Sequence, residues 1–250
     1  MPLFNTLMRL PFLILALLFT FSSFAQSKLA DSLNYLHAIE NTKTFYKQFV
    51  DPPAGLYNGG EYVDYTYDIN EGHPFFESPD FKPGSVLYDG ILYENVPLLY
   101  DMVTGKVVIN DPHKVFKLAL INERVSEFIV STHKFVRLVK EDSEKTVITT
   151  GFYELLYSGA SGVFKMKKKK IVENITISEG IRRYIVETNT YFIRKKESFY
   201  NVSSKSDLIS IYKDKKKEIE QYMRNNKLSF KTNKENTLIQ VTAFYDEINK

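Results

Sequence analysis

In Glu71-Gly72-His73-Pro74 a histidine stands close to one carboxylate and ahead of a second, Asp80. Imidazole titrates near neutral pH, so a neighbouring acid could orient it as a general base. His73 with Glu71 or Asp80 is therefore the candidate catalytic set, for a hydrolase or lyase. The same loop fits a histidine packed between Phe75 and Phe76, and no triad or metal spacing accompanies it. His37, His113 and His133 are isolated in sequence, so only the fold could bring them to a metal. No metal site or cofactor is expected, since the chain has no Walker motif, GxGxxG, GxSxG or HExxH.

Two other stretches could bind instead of react. In the run from Tyr62 to Asp68 a strand period of two puts Asp64, Thr66 and Asp68 on one face and Tyr65 and Tyr67 on the other. With Tyr57 and Tyr62 nearby, Asp64 and Asp68 are candidate contacts for a sugar or for Ca²⁺. The ion, however, needs about six to eight oxygens. A solvated face opposite a buried one accounts for the same pattern. Lys165 with Lys167, Lys168, Lys169 and Lys170 forms the densest charge run, and Lys167, Lys168, Lys169 and Lys170 are candidate contacts for an anionic surface. A solvated strand end that discourages edge pairing is the plainer explanation. Stacking aromatics and nucleic-acid modules do not accompany the run, so a nucleic-acid partner is not expected.

The address of the chain is written at its start. Arg9 precedes the apolar stretch Leu10 to Phe21, and Ser23-Phe24-Ala25 has the small-x-small form of a cleavage site. Residues 1–25 therefore read as a signal peptide cut after Ala25, too short in its apolar part for the roughly 20 residues that cross a bilayer. After cleavage the chain should be periplasmic or secreted and should not span the membrane. Cysteine is absent, which removes disulfides, thiolate chemistry and a lipidated N-terminal cysteine. Such a domain must be held by its core.

The net charge of +3 conceals an asymmetry. From Gln26 to Phe164 there are 12 Lys/Arg against 19 Asp/Glu, and from Lys165 onward 20 against 11. Attraction between the halves inside one fold is preferred to a basic half meeting an acidic surface.

The elements that would position these residues are mostly strands. Asp89-Gly90 supplies the positive φ of a tight hairpin, and Leu98-Leu99-Tyr100-Asp101 repeats Val86-Leu87-Tyr88-Asp89 before a second turn at Thr104-Gly105. Pro97 is expected at the mouth of a third strand, because it cannot donate to a ladder. A turn at Asn58-Gly59 should join two short strands running to about Asp68. Further strands are expected over 114–121 and 124–140. A hairpin follows over 151–171, with strand-like segments at 184–187, 191–194 and 199–202, for ten to twelve strands in all.

Helices are expected at both ends. Residues 26–50 carry Leu29, Leu33 and Leu36 on one face and stop at Pro52-Pro53. Leu208, Ile211, Tyr212, Ile219, Tyr222 and Met223 then recur at helical spacing, with Ser206 as cap and an end at Asn225-Asn226. A last helix over 234–248 is capped by Asn233. The expected fold is α+β and mainly antiparallel β: meanders and hairpins in an open barrel or strongly curved sheet, with an N-terminal helix and two C-terminal amphipathic helices. Residues 26–250 would form one domain, with its β region over 55–202 and a helical cap over 206–248.

LYNGGEY, EGHPFF, GSVLYDGILYENVPLLYD and GFYELLYSG, with the tail DLISIYKDKKKEIEQYMRNNKLSF, resemble an uncharacterised family of exported β-rich proteins from Bacteroidota. The resemblance covers most of the mature chain and rests on glycines, tyrosines and turns. It implies export and carries no catalytic role. The expectation is thus an exported cell-envelope protein with a structural or binding role, its partner another envelope protein or a glycan.

Overall fold

The structure, a computed structural model, describes residues 55–140 and 146–249. The expected signal peptide and the expected helix over 26–50 lie outside the described residues. Those described fall in one compact unit, Gly55–Lys250. Eleven strands form a sheet in which every neighbouring pair is antiparallel: β1 (Gly60–Glu61), β2 (Lys82–Tyr88), β3 (Ile91–Asp101), β4 (Lys106–Asn110), β5 (Lys117–Ala119), β6 (Val125–Val130), β7 (His133–Leu138), β8 (Gly151–Ser158), β9 (Gly162–Thr176), β10 (Gly180–Lys195) and β11 (Ser198–Asn201). Their order is β1-β5-β4-β3-β2-β6-β7-β8-β9-β10-β11, so from β6 onward the chain is a simple meander. Three helices follow: α1 (Lys205–Ile211), α2 (Lys216–Asn225) and α3 (Lys234–Ile248).

The Asp89-Gly90 hairpin forms as its residues demand. Both have φ between 50° and 75°, and Tyr88 pairs directly with Ile91. A two-residue loop of that sign matches the twist of its strands. Gly84 serves a different need, since a Cβ there would stand 2.2 Å from the Ile129 carbonyl oxygen of β6.

Pro97 is not at a strand mouth. It sits inside β3, opposite Pro83 of β2. Only Leu99 to Asp101 of β3 also pair with β4, so Pro97 faces a neighbour on one side alone, and there the facing residue lacks an N–H as well. The strand-like segments at 184–187 and 191–194 are parts of the single strand β10, which pairs with β9 from Gly180↔Thr176 to Arg194↔Gly162.

The expected strand after the Asn58-Gly59 turn is also corrected. The Tyr62 N–H makes the last bond to β5, donating to the Lys117 carbonyl, and the segment then turns away, with Tyr62 and Tyr65, three apart, both directing their hydroxyls to the Asp101 carboxylate. Residues three apart cannot share a face of a strand.

At the C-terminus Ser204, not Ser206, caps α1. Its hydroxyl accepts from the Asp207 N–H while the Asp207 carboxylate accepts from the Ser204 N–H, a reciprocal capping box. The expected single helix breaks into α1 and α2 around a 3-10 turn, Lys213–Lys215. Asn233 caps α3 as expected.

Two cores result. The first packs Tyr88, Tyr100, Phe128, Phe135 and Phe152 with Phe76, and Phe128 stacks on Phe135 with ring centroids 4.9 Å apart. Burial contributes about 1.5–3 kcal/mol for each such phenylalanine. The second packs Leu208, Tyr212, Ile219, Met223, Leu238, Val241 and Tyr245 of the helices over Val163 and Ile193 of β9 and β10. The charged groups of the next section lie between them.

Candidate functional site

Phe152, Glu154 and Leu156 alternate on one face of β8, and Val163, Lys165, Lys167 and Lys169 on the same face of β9. Glu154 pairs in register with Lys165 and with Phe135 of β7. Only 3% of Glu154 is exposed, and its Oε1 lies 2.5 Å from His133 Nδ1. The other imidazole nitrogen lies 3.1 Å from Glu77 Oε1. Glu154 Oε2 accepts no hydrogen bond, but the ammonium groups of Lys165 and Lys167 stand 3.6 and 3.8 Å away.

Lys165 continues to Glu235 of α3 at 2.5 Å. Burial works against its charge, yet the hydrogen bond to Glu235 and the field of Glu154 outweigh it and raise its pKa. Lys167 lies over the Phe76 ring, 4.5 Å from its centroid. The cluster thus touches the aromatic core at Phe76 and the helical cap at Glu235, two elements that otherwise share little.

Next to it the sheet splits. β8 and β9 pair only from Ser158↔Gly162 to Glu154↔Lys165. Beyond that the β3–β4 turn wedges between them, and the Lys169 N–H donates to the Met102 carbonyl. The split leaves a cavity of about 400 Å³ lined by Tyr100, Met102, Thr104, Asn122, Thr150, Phe152, Met166, Thr188 and Lys167 to Lys170, among others. Asn122 donates its amide N–H to the Gly105 carbonyl, while its side-chain oxygen is buried without a partner. Lys168 and Lys170 are exposed, and neither forms a side-chain ion pair or hydrogen bond among the described residues. A cavity with aromatic and thioether walls, hydroxyls and free ammonium groups suits an anion carrying some apolar surface.

The residues expected from sequence are scattered. His73 donates or accepts no hydrogen bond with Glu71 or Asp80 among the described residues. Its Nδ1 is buried without a partner, and burial, then the charge of Lys169, push its pKa down. Glu71 is bound through its backbone, which exchanges hydrogen bonds with Arg183 and Ile185 of β10. Asp80 accepts from the Ser78 hydroxyl.

Tyr57 packs against the first core, Tyr62 is buried on Asp101, Asp64 is ion-paired to Lys117 at 2.7 Å, and Asp68 is exposed. Of the lysines, Lys169 is spent on structure, since its ammonium donates to the His73 and Phe75 carbonyls at 3.0 and 2.6 Å. Burial, then Lys167, lower its pKa. His113 is exposed and His37 lies outside the described residues. Among the described residues no group of three or more His, Asp or Glu has the geometry to hold a metal.

Sequence reasoning missed Glu154 and Asp101, and it weighed His133 and Lys165 without joining them to Glu154. A signal was present for Glu154, a lone acid on an apolar strand face, and for Lys165, which with Lys167 shares a face with Val163. Asp101 gave no such signal. It is wholly buried and accepts from Tyr62 Oη, Tyr65 Oη, Thr104 Oγ1 and the Val103 and Thr104 N–H groups. Burial and the charge of Asp101 push Tyr62 and Tyr65 well above the usual tyrosine range.

Among the described residues no helix is long and apolar enough to cross a membrane. No family model, no curated protein and no solved structure matches this chain.

Proposed function

We propose that this chain is an exported, non-catalytic binding protein of the cell envelope, periplasmic or secreted, that holds a small anion in the split between β8 and β9. The observation that carries this is the cavity itself, where two lysines without a side-chain partner among the described residues stand over an apolar floor; the unpartnered Asn122 oxygen, which can only accept, is left for a hydroxyl of the same ligand. Export is supported by the basic residue, apolar run and small-residue cleavage site at the N-terminus, and by the resemblance to exported Bacteroidota proteins. A binding role is supported by the engagement of His133 and Asp101 with groups of the protein itself. Glu154 and Glu77 face the two ring nitrogens of His133, so neither nitrogen is open to a substrate, and five donors converge on Asp101.

The chain should emerge from a secreting host with Gln26 as its first residue. Calorimetric titration with galacturonate and with inorganic phosphate should give binding to the purified protein that a Lys168→Glu/Lys170→Glu variant of unchanged melting temperature loses by tenfold or more. Equal binding by parent and variant would overturn the cavity assignment, and an unprocessed N-terminus would overturn export.

A further inference from the structure

Beyond the split, β9 and β10 run on as a two-stranded arm, and the period of two sorts its residues. One face carries Ile171, Glu173, Ile175, Ile181, Arg183, Ile185 and Glu187, with Glu173 ion-paired to Arg183 at 2.7 Å. The other carries Lys168, Lys170, Val172, Asn174, Arg182, Tyr184, Val186 and Thr188, and neither strand places an acid there.

Tyr184 and Val186 on this second face are 37% and 38% exposed. Arg182 meets Glu179 of the turn at 3.3 Å, both side chains being more than half exposed. Glu71, bridged to Tyr184 along the outer edge of β10, is the acid that a neighbouring segment brings to the margin.

The cations lie in a row along the arm. Lys168 and Lys170 stand about 7 Å apart, and Arg182, level with Asn174, lies about 20 Å from Lys168. At one end of the row is the cavity, which Lys168, Lys170 and Thr188 also line. From this we infer that the face binds a linear acidic glycan, one carboxylate entering the cavity and the following sugars lying along Lys170, Tyr184 and Arg182. The inference rests on the cavity being an anion site.

Extended geometry favours a chain with one charge per sugar over a compact anion. The single exposed ring of Tyr184 offers a flat apolar platform to one pyranose, and the face lacks the succession of aromatics that stack a run of nucleobases.

The test titrates the full mature protein with galacturonate, octagalacturonate, inorganic polyphosphate, uncharged dextran and an eight-nucleotide single-stranded DNA. Octagalacturonate should bind about tenfold or more tighter than the monomer. Arg182→Glu should remove that gain and leave monomer affinity unchanged. Tyr184→Ala should weaken octagalacturonate but not polyphosphate. Glu71→Gln should tighten octagalacturonate, a gain that loss of folding cannot mimic.

Equal affinity for monomer and octamer overturns the glycan face while the cavity stands. Octamer binding that survives Asn122→Leu and Thr150→Val with its gain intact removes the cavity and keeps the face. DNA or polyphosphate binding as tight as the octamer overturns the glycan assignment, and binding of none of the probes overturns both.

Discussion

Asp101 and Glu154 are both buried acids on one sheet, and they are satisfied in opposite ways. Asp101 has no charged partner. Three hydroxyls and two backbone N–H groups converge on it, and these donors come from its own turn and from the 62–65 segment. Glu154 faces one histidine and two lysines, but one of its oxygens accepts no hydrogen bond. Neutral dipoles at hydrogen-bond distance fix geometry tightly. Charges nearly 4 Å away attract almost as well from several positions, because Coulomb energy falls slowly with distance. Asp101 therefore acts as a nail between β3 and the preceding segment, while Glu154 is a hub that tolerates small movements of the lysines beside the cavity.

The strongest way to break that contrast is to remove the nail. Asp101→Ala leaves the buried Tyr62 hydroxyl and four partly buried donors without their acceptor, and should cost about 3 kcal/mol of stability in urea unfolding. A loss under about 1 kcal/mol would show that the hydroxyls find other acceptors and that the site is not structural.

Glu154→Gln sharpens the other side. Lys165 keeps Glu235 and the amide can still accept from His133, so the loss should be about 1–2 kcal/mol. Lys167 loses an attraction and becomes freer to meet an anion, so galacturonate affinity should rise a few fold by calorimetry. A loss as large as that of Asp101→Ala would erase the distinction between the two carboxylates.

Lys169→Met tests the strap that carries His73 across the sheet. The ammonium donates to two carbonyls of that strap, but its depressed pKa records the burial cost the charge already bears. Methionine restores most of the packing, so the net loss should be about 1 kcal/mol. Protease cleavage between Glu71 and Glu77 should become faster, and unchanged cleavage would place the hold on the strap elsewhere.

What the sequence disclosed follows the range of the forces involved. The Asp89-Gly90 hairpin, the hairpin at 158–162 and α3 with its Asn233 cap are set within a few residues, and each was legible. Pro97 was misplaced because the exemption it enjoys depends on Pro83, fourteen residues earlier and across the ladder. The long β9–β10 arm was missed because Arg182-Arg183 and the lysine run interrupt the apolar alternation that marks a strand, and they are tolerated only where faces stay in solvent. The 62–68 segment was misread because its conformation is dictated from Asp101, which no local pattern around the tyrosines announces. The candidate site suffered most, since His133, Glu154 and Lys165 meet only through strand register.

The smallest effect concerns the helical cap and separates local from long-range satisfaction within one residue type. Asp207, half-buried at the start of α1, accepts from the Ser203 hydroxyl and from the Ser203 and Ser204 N–H groups, and these bonds hold its pKa at about 2 against an ordinary 3.8. The folded state therefore binds fewer protons than the unfolded one between those values, so its contribution is complete above the ordinary carboxylate pKa and is lost as pH falls toward about 2. Asp207→Asn keeps a side-chain acceptor for the cap but removes the charge that titrates. Its melting temperature should sit slightly below the parent's at pH 6 and converge with it near pH 2. A constant offset across that range would mean that the serines act through shape and not through the carboxylate charge, which would leave Asp207 a neutral-dipole partner like those that surround Asp101.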